Sequence, residues 1–317
     1  MSEQSVVIPF VHRIGAQDVD SWLGALRKAM PTLRIVPIDQ MDQSERAAAE
    51  VAIVANPDPK ELTGLPSLRW VHSLWAGVEH MVAELQGSAV RIVRLEDPQM
   101  ADTMAEAVLA WVLYLHRDIP HYRANQTATE WSPLPMREAA DVTVGVLGMG
   151  RMGRASVTRL SQQGFRVAGW SRTAAKVPGV EMHSGPNGLN EILPASDIVV
   201  VLLPLTNETN GLLNESRLKQ LPAGSALINF ARGPIVDVEA LMPLLDSDGL
   251  RHAVIDVFDR EPLPADSPLW SHPKVTVLPH IAAPTNLRTA SQVVAGNIER
   301  FLDTGEMPAG VDLRSGY

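Results

Sequence analysis

Three side chains that can bind an anion or exchange protons follow successive apolar segments in the last third of the chain. Arg232, Glu261 and His280 each come after a segment typical of a buried β-strand. A guanidinium stays charged and pairs with carboxylates, while an imidazole exchanges protons near neutral pH. If the segments form parallel strands, their carboxyl ends meet at one edge of a sheet, where ligands bind in open α/β sheets. Alone, each residue has an ordinary structural interpretation, but in this order and placement they predict a catalytic set.

The segments before these residues belong to two series of short apolar stretches that alternate with helical spacing. The stretches are apolar without alternation, which indicates strands buried on both faces and hence parallel sheets covered by helices. Two series imply two doubly wound α/β domains. The predicted strands are Val6–Phe10, Arg34–Ile38, Val51–Ala55, Arg69–Leu74 and Ile92–Leu95 in the first series, and Val142–Leu147, Arg166–Trp170, Ile198–Leu203, Ala226–Ala231, Val254–Phe258 and Val275–Leu278 in the second.

A glycine turn opens the second series. Gly148, Gly150 and Gly153, with Arg151 and Met152 among them, form a G-x-G-x-x-G pattern after a predicted strand and before a helix-compatible segment. The first glycine permits the tight turn, the second lets a pyrophosphate approach the backbone, and the third lets the helix pack on the strand. The helix N-terminus attracts the anion. In this context the pattern predicts a dinucleotide site in a Rossmann-type domain.

The end of the next strand indicates which dinucleotide binds. An NAD site would place an acidic residue there to hold the ribose 2′-hydroxyl. No acidic residue lies between Gly164 and Val180, where Ser171, Arg172 and Thr173 stand instead. A guanidinium and hydroxyls suit a 2′-phosphate, so we predict that NADP(H) is preferred and that NAD(H) remains possible. The alternative is a solvated basic turn.

Two chain crossovers divide the predicted elements into domains. Helical spacing covers Gln17–Met30, Thr103–His116 and Leu287–Leu302. Thr103–His116 is apolar on nearly every face, which indicates a buried helix where two domains meet. We place the crossovers near residues 102 and 285. A flavodoxin-like substrate domain then comprises 1–101 and 285–317, and the Rossmann dinucleotide-binding domain, 102–284, is inserted into it.

Composition excludes several classes of protein. The chain has 317 residues, a formal net charge of −9 and no cysteine. The negative charge argues against a protein that grips nucleic acid or an anionic membrane. Without cysteine there are no disulfides or thiolate metal sites, and the histidines show no metal-ligand spacing, so we predict no metal. The N-terminus lacks the pattern of a secretory signal and no apolar run approaches the roughly 20 residues of a membrane span, so we expect a cytoplasmic protein.

In combination, these motifs resemble those of the D-2-hydroxyacid dehydrogenases. The end of the second cofactor strand, the Ser-Pro-Leu-Trp at 267–270 and the terminal Gly-Tyr are similar to the glyoxylate/hydroxypyruvate reductase A branch. The first domain is similar mainly over Leu74–Glu79, where Trp75 stands in place of the family's common small residue. The motifs that carry the resemblance are the glycine turn, Leu203-Pro204-Leu205-Thr206 with Thr209, Asn229–Asp237, Asp256 with Glu261-Pro262-Leu263, and Pro279-His280.

The resemblance implies NADPH-dependent reduction of a small 2-oxo acid to the D-2-hydroxy acid. His280 would be the general acid, Glu261 would stabilise its imidazolium, and Arg232 would bind the substrate and polarise its carbonyl. A homodimer built around Thr103–His116 is implied as well. The remaining implied cofactor residues are Leu203, Pro204, Thr209, Ala231 and Asp256, and the implied substrate residues, besides Arg232 and His280, are Trp75, Ala76, Gly77 and Val78.

Two other functions remain possible at this point, and the orientation of the Trp75 side chain is also open. The chain could be an NAD-linked dehydrogenase of another D-2-hydroxy acid, against which Ser171–Thr173 speaks. It could also be a dinucleotide sensor without turnover, against which the intact set of Arg232, Glu261 and His280 speaks. The Trp75 indole either forms a wall of the substrate pocket or packs into the domain core.

Overall fold

A computed structural model describes residues 6–85 and 87–312 of the chain. The terminal Gly-Tyr therefore lies outside the described residues. Contacts divide the chain into two compact units. The first contains the described residues up to Gln99 and those from Thr285 onward, and the second is Met100–Pro284. The assignment of substrate and cofactor to these units stays a prediction.

All strands in the described residues pair in parallel, within two separate sheets. The strands are β1 (Val7–His12), β2 (Arg34–Pro37), β3 (Val51–Ala55), β4 (Trp70–Ser73), β5 (Arg91–Val93), β6 (Thr143–Leu147), β7 (Arg166–Ser171), β8 (Glu181–Ser184), β9 (Ile198–Val201), β10 (Ser225–Asn229), β11 (Leu250–Ile255) and β12 (Val275–Val277). The helices are α1 (Ala16–Ala29), α2 (Gln43–Ala48), α3 (Pro59–Leu62), α4 (Glu79–Glu84), α5 (Pro98–His116), α6 (Ile119–Ala128), α7 (Arg151–Gln162), α8 (Gly185–Ala195), α9 (Glu215–Leu218), α10 (Val238–Asp246) and α11 (Leu287–Thr304).

The first unit has a five-stranded sheet in the order β2-β1-β3-β4-β5. This is the flavodoxin-like doubly wound order. The middle strand β3 is buried along its whole length, as expected of a strand covered on both faces. Although it is far away in sequence, α11 belongs to this unit, because Phe301 packs edge-on against Trp70 with ring centroids 5.4 Å apart.

The second unit has a seven-stranded sheet in the order β12-β11-β10-β9-β6-β7-β8. Its first six strands in chain order follow the Rossmann arrangement, and β12 extends the sheet beyond β11. The strand order reverses beside β6, the strand that runs into the glycine turn. The predicted fold class, two doubly wound parallel-sheet domains, is confirmed.

Several predicted strands are too long at their carboxyl ends. The buried apolar residues continue into the loops: Leu203, Phe230 and Phe258 are buried but follow their strands rather than belonging to them. An apolar run indicates that residues are buried, and does not show whether they form a strand or a buried loop. These loops are buried because they pack on the sheet edge. Sequence reasoning therefore placed the strand ends a few residues late.

One strand, and the first part of another, were not predicted because they contain polar residues. The edge strand β8 was not predicted because it is short and only partly buried, without an apolar run. The strand β11 begins four residues before the predicted Val254, since it contains Arg251 and His252. His252 is buried in the strand, where its Nε2 atom lies 2.9 Å from the hydroxyl of Thr276.

The helix α5 starts before the predicted Thr103, and only one of its faces is fully buried. Val108, Val112 and Leu115 lie in the core of the second unit, whereas Leu113 is exposed. The expectation of burial on nearly every face is therefore wrong for the described chain. The following α6 was not predicted. No helix among the described residues has the length and apolarity that a membrane span requires.

Candidate active site

Six loops follow six parallel strands of the second unit at one edge of its sheet. They follow β6, β7, β9, β10, β11 and β12, and they carry the predicted cofactor and catalytic residues of this unit. The predicted convergence on one sheet edge is therefore what the topology produces. The predicted substrate residues Trp75, Ala76, Gly77 and Val78 lie in the first unit, after β4.

The glycine turn is tightly packed at two of its three glycines and open at the third. Gly148 has a φ of 110°, and a Cβ atom there would lie 2.6 Å from the carbonyl oxygen of Leu202. A Cβ at Gly153 would overlap the carbonyl oxygen of Gly148, so α7 packs directly on the turn. At Gly150, in contrast, a Cβ would meet no atom within 4 Å. This open space lies at the N-terminus of α7, which also carries Arg151 and Met152, and it fits an anion.

The end of β7 and the loop after it carry the residues predicted to recognise a 2′-phosphate. The hydroxyl of Ser171 donates to the carbonyl of Thr173 at 2.7 Å, which tightens the turn. Arg172 is half-exposed, and its Nη1 atom donates to the carboxylate of Glu208 at 2.8 Å. The sequence showed no acidic residue near this turn, but the fold supplies one from the loop after β9. Nothing in the sequence around Glu208 points to Arg172.

The loop after β9 is held by its own hydroxyls. The Thr209 side chain donates to the carbonyl of Pro204 at 2.6 Å and accepts the backbone N–H of Thr206 at 2.8 Å. Leu203 is buried beneath the loop, and Pro204 is partly buried. Thr209 therefore shapes the predicted cofactor loop from within.

His280 and Glu261, two of the predicted catalytic residues, lie within hydrogen-bond distance of each other. The Nδ1 atom of His280 lies 2.7 Å from Oε2 of Glu261, and the other carboxylate oxygen accepts the backbone N–H of Phe258 at 2.9 Å. The carboxylate is thus oriented by the backbone before it meets the imidazole. With Nδ1–H donating to Glu261, the Nε2 atom is the one that can pass a proton to another molecule.

Asp256 holds the backbone that carries His280. His280 has a φ of 55°, in the left-handed region that side-chain-bearing residues rarely adopt. The carboxylate of Asp256 accepts the N–H groups of Ile281 at 2.7 Å and Ala282 at 2.9 Å. Burial raises the pKa of Asp256, and these two N–H donors oppose that rise. The predicted place beside a nicotinamide stays a prediction, whereas the bonds to the His280 loop are direct.

The Arg232 loop is fixed by a side chain that sequence reasoning missed. Asn229, buried at the end of β10, donates through its amide to the carbonyl of Arg232 at 3.1 Å and accepts the N–H of Ala231 at 3.1 Å. Nη1 of Arg232 donates to the carbonyl of Ala231 at 2.6 Å. The available signal was a polar residue at the end of a fully buried strand, where an unpaired amide would be costly.

The Arg232 and Glu261 loops touch through Gly233. A Cβ at Gly233 would collide with the backbone of Phe258, including its carbonyl oxygen at 2.5 Å. Phe258 is the residue whose N–H orients Glu261. A glycine is therefore required where the loop bearing the guanidinium meets the loop bearing the carboxylate.

In the first unit, Trp75 packs inward on α1. Its ring lies edge-on to Trp22 at a centroid distance of 5.7 Å, and its indole N–H is buried without a hydrogen-bond partner among the described residues. Its backbone N–H donates to the hydroxyl of Ser73 at 3.0 Å. This packing favours the core orientation of Trp75 over the pocket wall. Ala76 and Gly77 are partly buried, and Val78 is buried at the start of α4.

A buried histidine was also missed beneath this segment. His72 contacts the carbonyl of Ser73 through Nδ1 at 2.9 Å and the amide nitrogen of Asn297 through Nε2 at 3.0 Å. Burial lowers the pKa of His72 to about 4. Among residues 6–85 and 87–312, no group of three or more His, Asp or Glu side chains could hold a metal ion.

A Rossmann-type sheet with a glycine turn, and with Arg232, Glu261 and His280 after strands at its carboxyl edge, is typical of a nicotinamide-dependent dehydrogenase. Residues 109–282 match the family described as D-isomer specific 2-hydroxyacid dehydrogenase, NAD binding domain. The chain belongs to the D-isomer specific 2-hydroxyacid dehydrogenase family and is thus an NAD(P)-dependent oxidoreductase. The resemblance stated from the sequence is confirmed.

Solved structures of related proteins are similar to this chain over nearly its whole length. A D-isomer specific 2-hydroxyacid dehydrogenase from Xanthobacter autotrophicus Py2, in complex with NADPH and MES, is 39% identical, with a TM-score of 0.91 and coverage of 99% of this chain and 100% of that one. An NADPH-dependent glyoxylate/hydroxypyruvate reductase from Sinorhizobium meliloti, in complex with NADP and sulfate, is 32% identical, with a TM-score of 0.89 and coverage of 98% and 99%. A D-isomer specific 2-hydroxyacid dehydrogenase family protein from Klebsiella pneumoniae 342 is 32% identical, with a TM-score of 0.88 and coverage of 99% of both chains.

Proposed function

We propose that this protein uses NADPH to reduce a small 2-oxo acid, of the glyoxylate or hydroxypyruvate type, to the D-2-hydroxy acid. The observation that carries the proposal is the 2.7 Å pair of His280 and Glu261, at the same sheet edge as the glycine turn. The Sinorhizobium relative supports the substrate class, since it is named as a glyoxylate/hydroxypyruvate reductase. The Xanthobacter and Sinorhizobium complexes with NADPH and NADP support the cofactor.

His280 is the proposed general acid. When bound, the reduced nicotinamide supplies a hydride to the carbonyl carbon. The Nε2 atom of His280 donates a proton to the carbonyl oxygen as negative charge develops there, and Glu261 stabilises the imidazolium through Nδ1. Arg232, permanently charged, binds the substrate and polarises its carbonyl. Backbone N–H groups within the segment Trp75–Val78 are proposed to hold the substrate carboxylate. That of Trp75 already donates to the Ser73 hydroxyl, so the proposed donors are those of Ala76, Gly77 and Val78.

The proposed cofactor residues fall into three groups, one for each part of the dinucleotide. The turn from Gly148 to Gly153 and the N-terminus of α7 receive the pyrophosphate, because the space at Gly150 is open. Ser171, Arg172 and Thr173 receive the 2′-phosphate. On the nicotinamide side, the proposed residues are Leu203, Pro204, Thr209, Ala231 and Asp256.

A homodimer is the proposed assembly. The second unit exposes apolar side chains along α5, α6 and the segment after α6, of which Trp131 is 98% exposed and Met136 is 74% exposed. Several exposed large apolar side chains within one stretch of the chain favour an interface there, and the proposed partner is a second copy of this chain. The cytoplasmic location expected from the sequence stays a prediction.

Turnover assays distinguish this proposal from its alternatives. NADPH and NADH oxidation would be followed with glyoxylate, hydroxypyruvate and phenylpyruvate. Efficient turnover with NADPH and the two small acids is expected, whereas a preference for NADH or for phenylpyruvate would contradict it. His280→Asn should lower kcat by about 10²–10⁴-fold while NADPH still binds. A protein that binds NADPH but turns over no 2-oxo acid would instead be a sensor.

A further inference from the structure

Glu208 presents a carboxylate to the guanidinium that is proposed to bind the 2′-phosphate. Nη1 of Arg172 donates to Oε2 of Glu208 at 2.8 Å, although the two residues are 36 positions apart. Both side chains are open to solvent, with 48% of Arg172 and 65% of Glu208 exposed. Their loops follow β7 and β9, the two neighbours of β6 in the sheet. The ion pair therefore joins the two loops that flank the glycine turn.

The pair affects the two cofactors differently. A 2′-phosphate carries a charge of about −1.5 to −2 at pH 7, so it must share the Arg172 guanidinium with Glu208 or displace that carboxylate. Two anions held by one guanidinium also repel each other, by an amount that solvent and salt reduce at an exposed site. The 2′-hydroxyl of NADH carries no charge. Glu208 therefore weakens the binding of NADPH and leaves that of NADH nearly unchanged. A change in the binding free energy of one ligand alone changes specificity.

We infer that Glu208 is a specificity-determining residue: its carboxylate competes with the 2′-phosphate of NADPH for Arg172 and so limits the preference for NADPH over NADH. The inference rests on the proposed function, because that function places the 2′-phosphate at Arg172. It adds that the β9 loop places a carboxylate against the guanidinium of the β7 turn.

The test is Glu208→Gln, which removes the charge and keeps the shape. Dissociation constants for NADPH and NADH would be measured on the full-length protein by quenching of tryptophan fluorescence. The Kd of NADPH should fall about two- to fivefold, the upper part of the range of exposed ion pairs, and the Kd of NADH should change by less than about 1.5-fold. Unchanged or weaker NADPH binding would overturn the inference.

Glu215→Gln is the matched control. The Glu215 side chain is 66% exposed, close to the 65% of Glu208. Its carboxylate pairs with Lys219 at 2.6 Å instead of with Arg172. The control removes the same charge from the same stretch of chain, so it should leave both dissociation constants unchanged. An equal gain in NADPH affinity in both variants would show a general effect of net charge and overturn the competition.

A double variant separates competition from repulsion at a distance. In an Arg172→Ala background there is no guanidinium to compete for, so Glu208→Gln should no longer change the Kd of NADPH. The same gain in both backgrounds would overturn the inference. Arg172→Ala alone tests the proposed function separately. If it weakens NADPH selectively, the proposed 2′-phosphate site stands whatever Glu208 does, whereas equal weakening of both cofactors removes that site and this inference together.

Discussion

The Asp256 carboxylate accepts the backbone N–H of Ile281 at 2.7 Å, and this bond fixes the chain just after His280, whose φ of 55° is unfavourable for a residue with a side chain. The acid of the proposed reaction thus stands on a strained backbone that a buried carboxylate stabilises. Glu261 orients the imidazole ring of His280 through Nδ1, and Asp256 holds the backbone that follows His280. The two carboxylates have different tasks although both belong to the segment after β11.

Asp256→Asn should impair turnover through this loop. An amide can accept one of the two N–H groups, but its own NH₂ would face the other donor. We expect kcat/KM to fall about 10–100-fold, the cost of misplacing a reacting group by roughly 1 Å, with a smaller effect on the Kd of NADPH. The control is Asp266→Asn, an exposed carboxylate further along the same connection. Steady-state kinetics near those of the unmodified enzyme in Asp256→Asn would contradict the positioning role.

Glu261→Gln should lower turnover more than cofactor binding. The Glu261 carboxylate lies 2.7 Å from Nδ1 of His280 and is proposed to stabilise the imidazolium that donates the proton. An amide in its place carries no charge, so kcat should fall, by less than the loss of about 10²–10⁴-fold expected of His280→Asn. Steady-state kinetics and NADPH titration separate the two effects. An unchanged kcat in Glu261→Gln would contradict the role proposed for Glu261.

Two glycines should respond to alanine in opposite ways. Gly233→Ala drives a methyl group into the backbone of Phe258, so unfolding should become easier by about 1–3 kcal/mol and kcat should fall with it. Gly150→Ala places its methyl group in open space, so the free energy of unfolding should change by less than about 0.5 kcal/mol while NADPH binding weakens. Urea denaturation and cofactor titration separate the two. Unchanged NADPH binding in Gly150→Ala would place the pyrophosphate elsewhere.

Two buried histidines should make the protein less stable in mild acid. Burial lowers the pKa of His72 and of His252 to about 4 from 6.5. Between those values the unfolded chain binds protons that the folded chain does not, so the free energy of unfolding falls as the pH drops from about 6.5 towards 4. The loss is roughly 1–3 kcal/mol for each histidine. Urea denaturation at pH 7 and pH 5 should show it, and His252→Gln should have a shallower pH dependence. Equal slopes for the variant and the parent would refute the contribution of His252.

Trp131→Asp should weaken the proposed homodimer without unfolding the chain. The side chain is 98% exposed in the isolated chain, so it contributes little to the stability of the monomer. An unpaired carboxylate at an apolar interface is costly, and the mass measured by light scattering should shift towards the monomer. Glu130→Gln, at an exposed neighbouring position, serves as the control. A dimer of undiminished stability in Trp131→Asp would move the interface away from this segment.

The sequence by itself determined the two parallel sheets, the glycine turn, and the placement of Arg232, Glu261 and His280 at strand ends. These features are local: uninterrupted apolar runs report burial on both faces, and a residue after a parallel strand must lie at the carboxyl edge. Local pattern did not reveal β8, because an exposed edge strand has no apolar run to mark it. It also left the strand ends imprecise, because buried loops are as apolar as the strands before them.

Only the tertiary structure decided which side chains meet. The pairing of Arg172 with Glu208, the two N–H bonds from the His280 loop to Asp256, and the edge-on packing of Trp75 on Trp22 each join separate segments of the chain. A side-chain contact is a distance of a few ångströms between atoms whose positions depend on strand order, register and loop path together. Residue type and spacing fix the edge of the sheet at which a side chain arrives. The folded chain alone fixes the partner that it finds there.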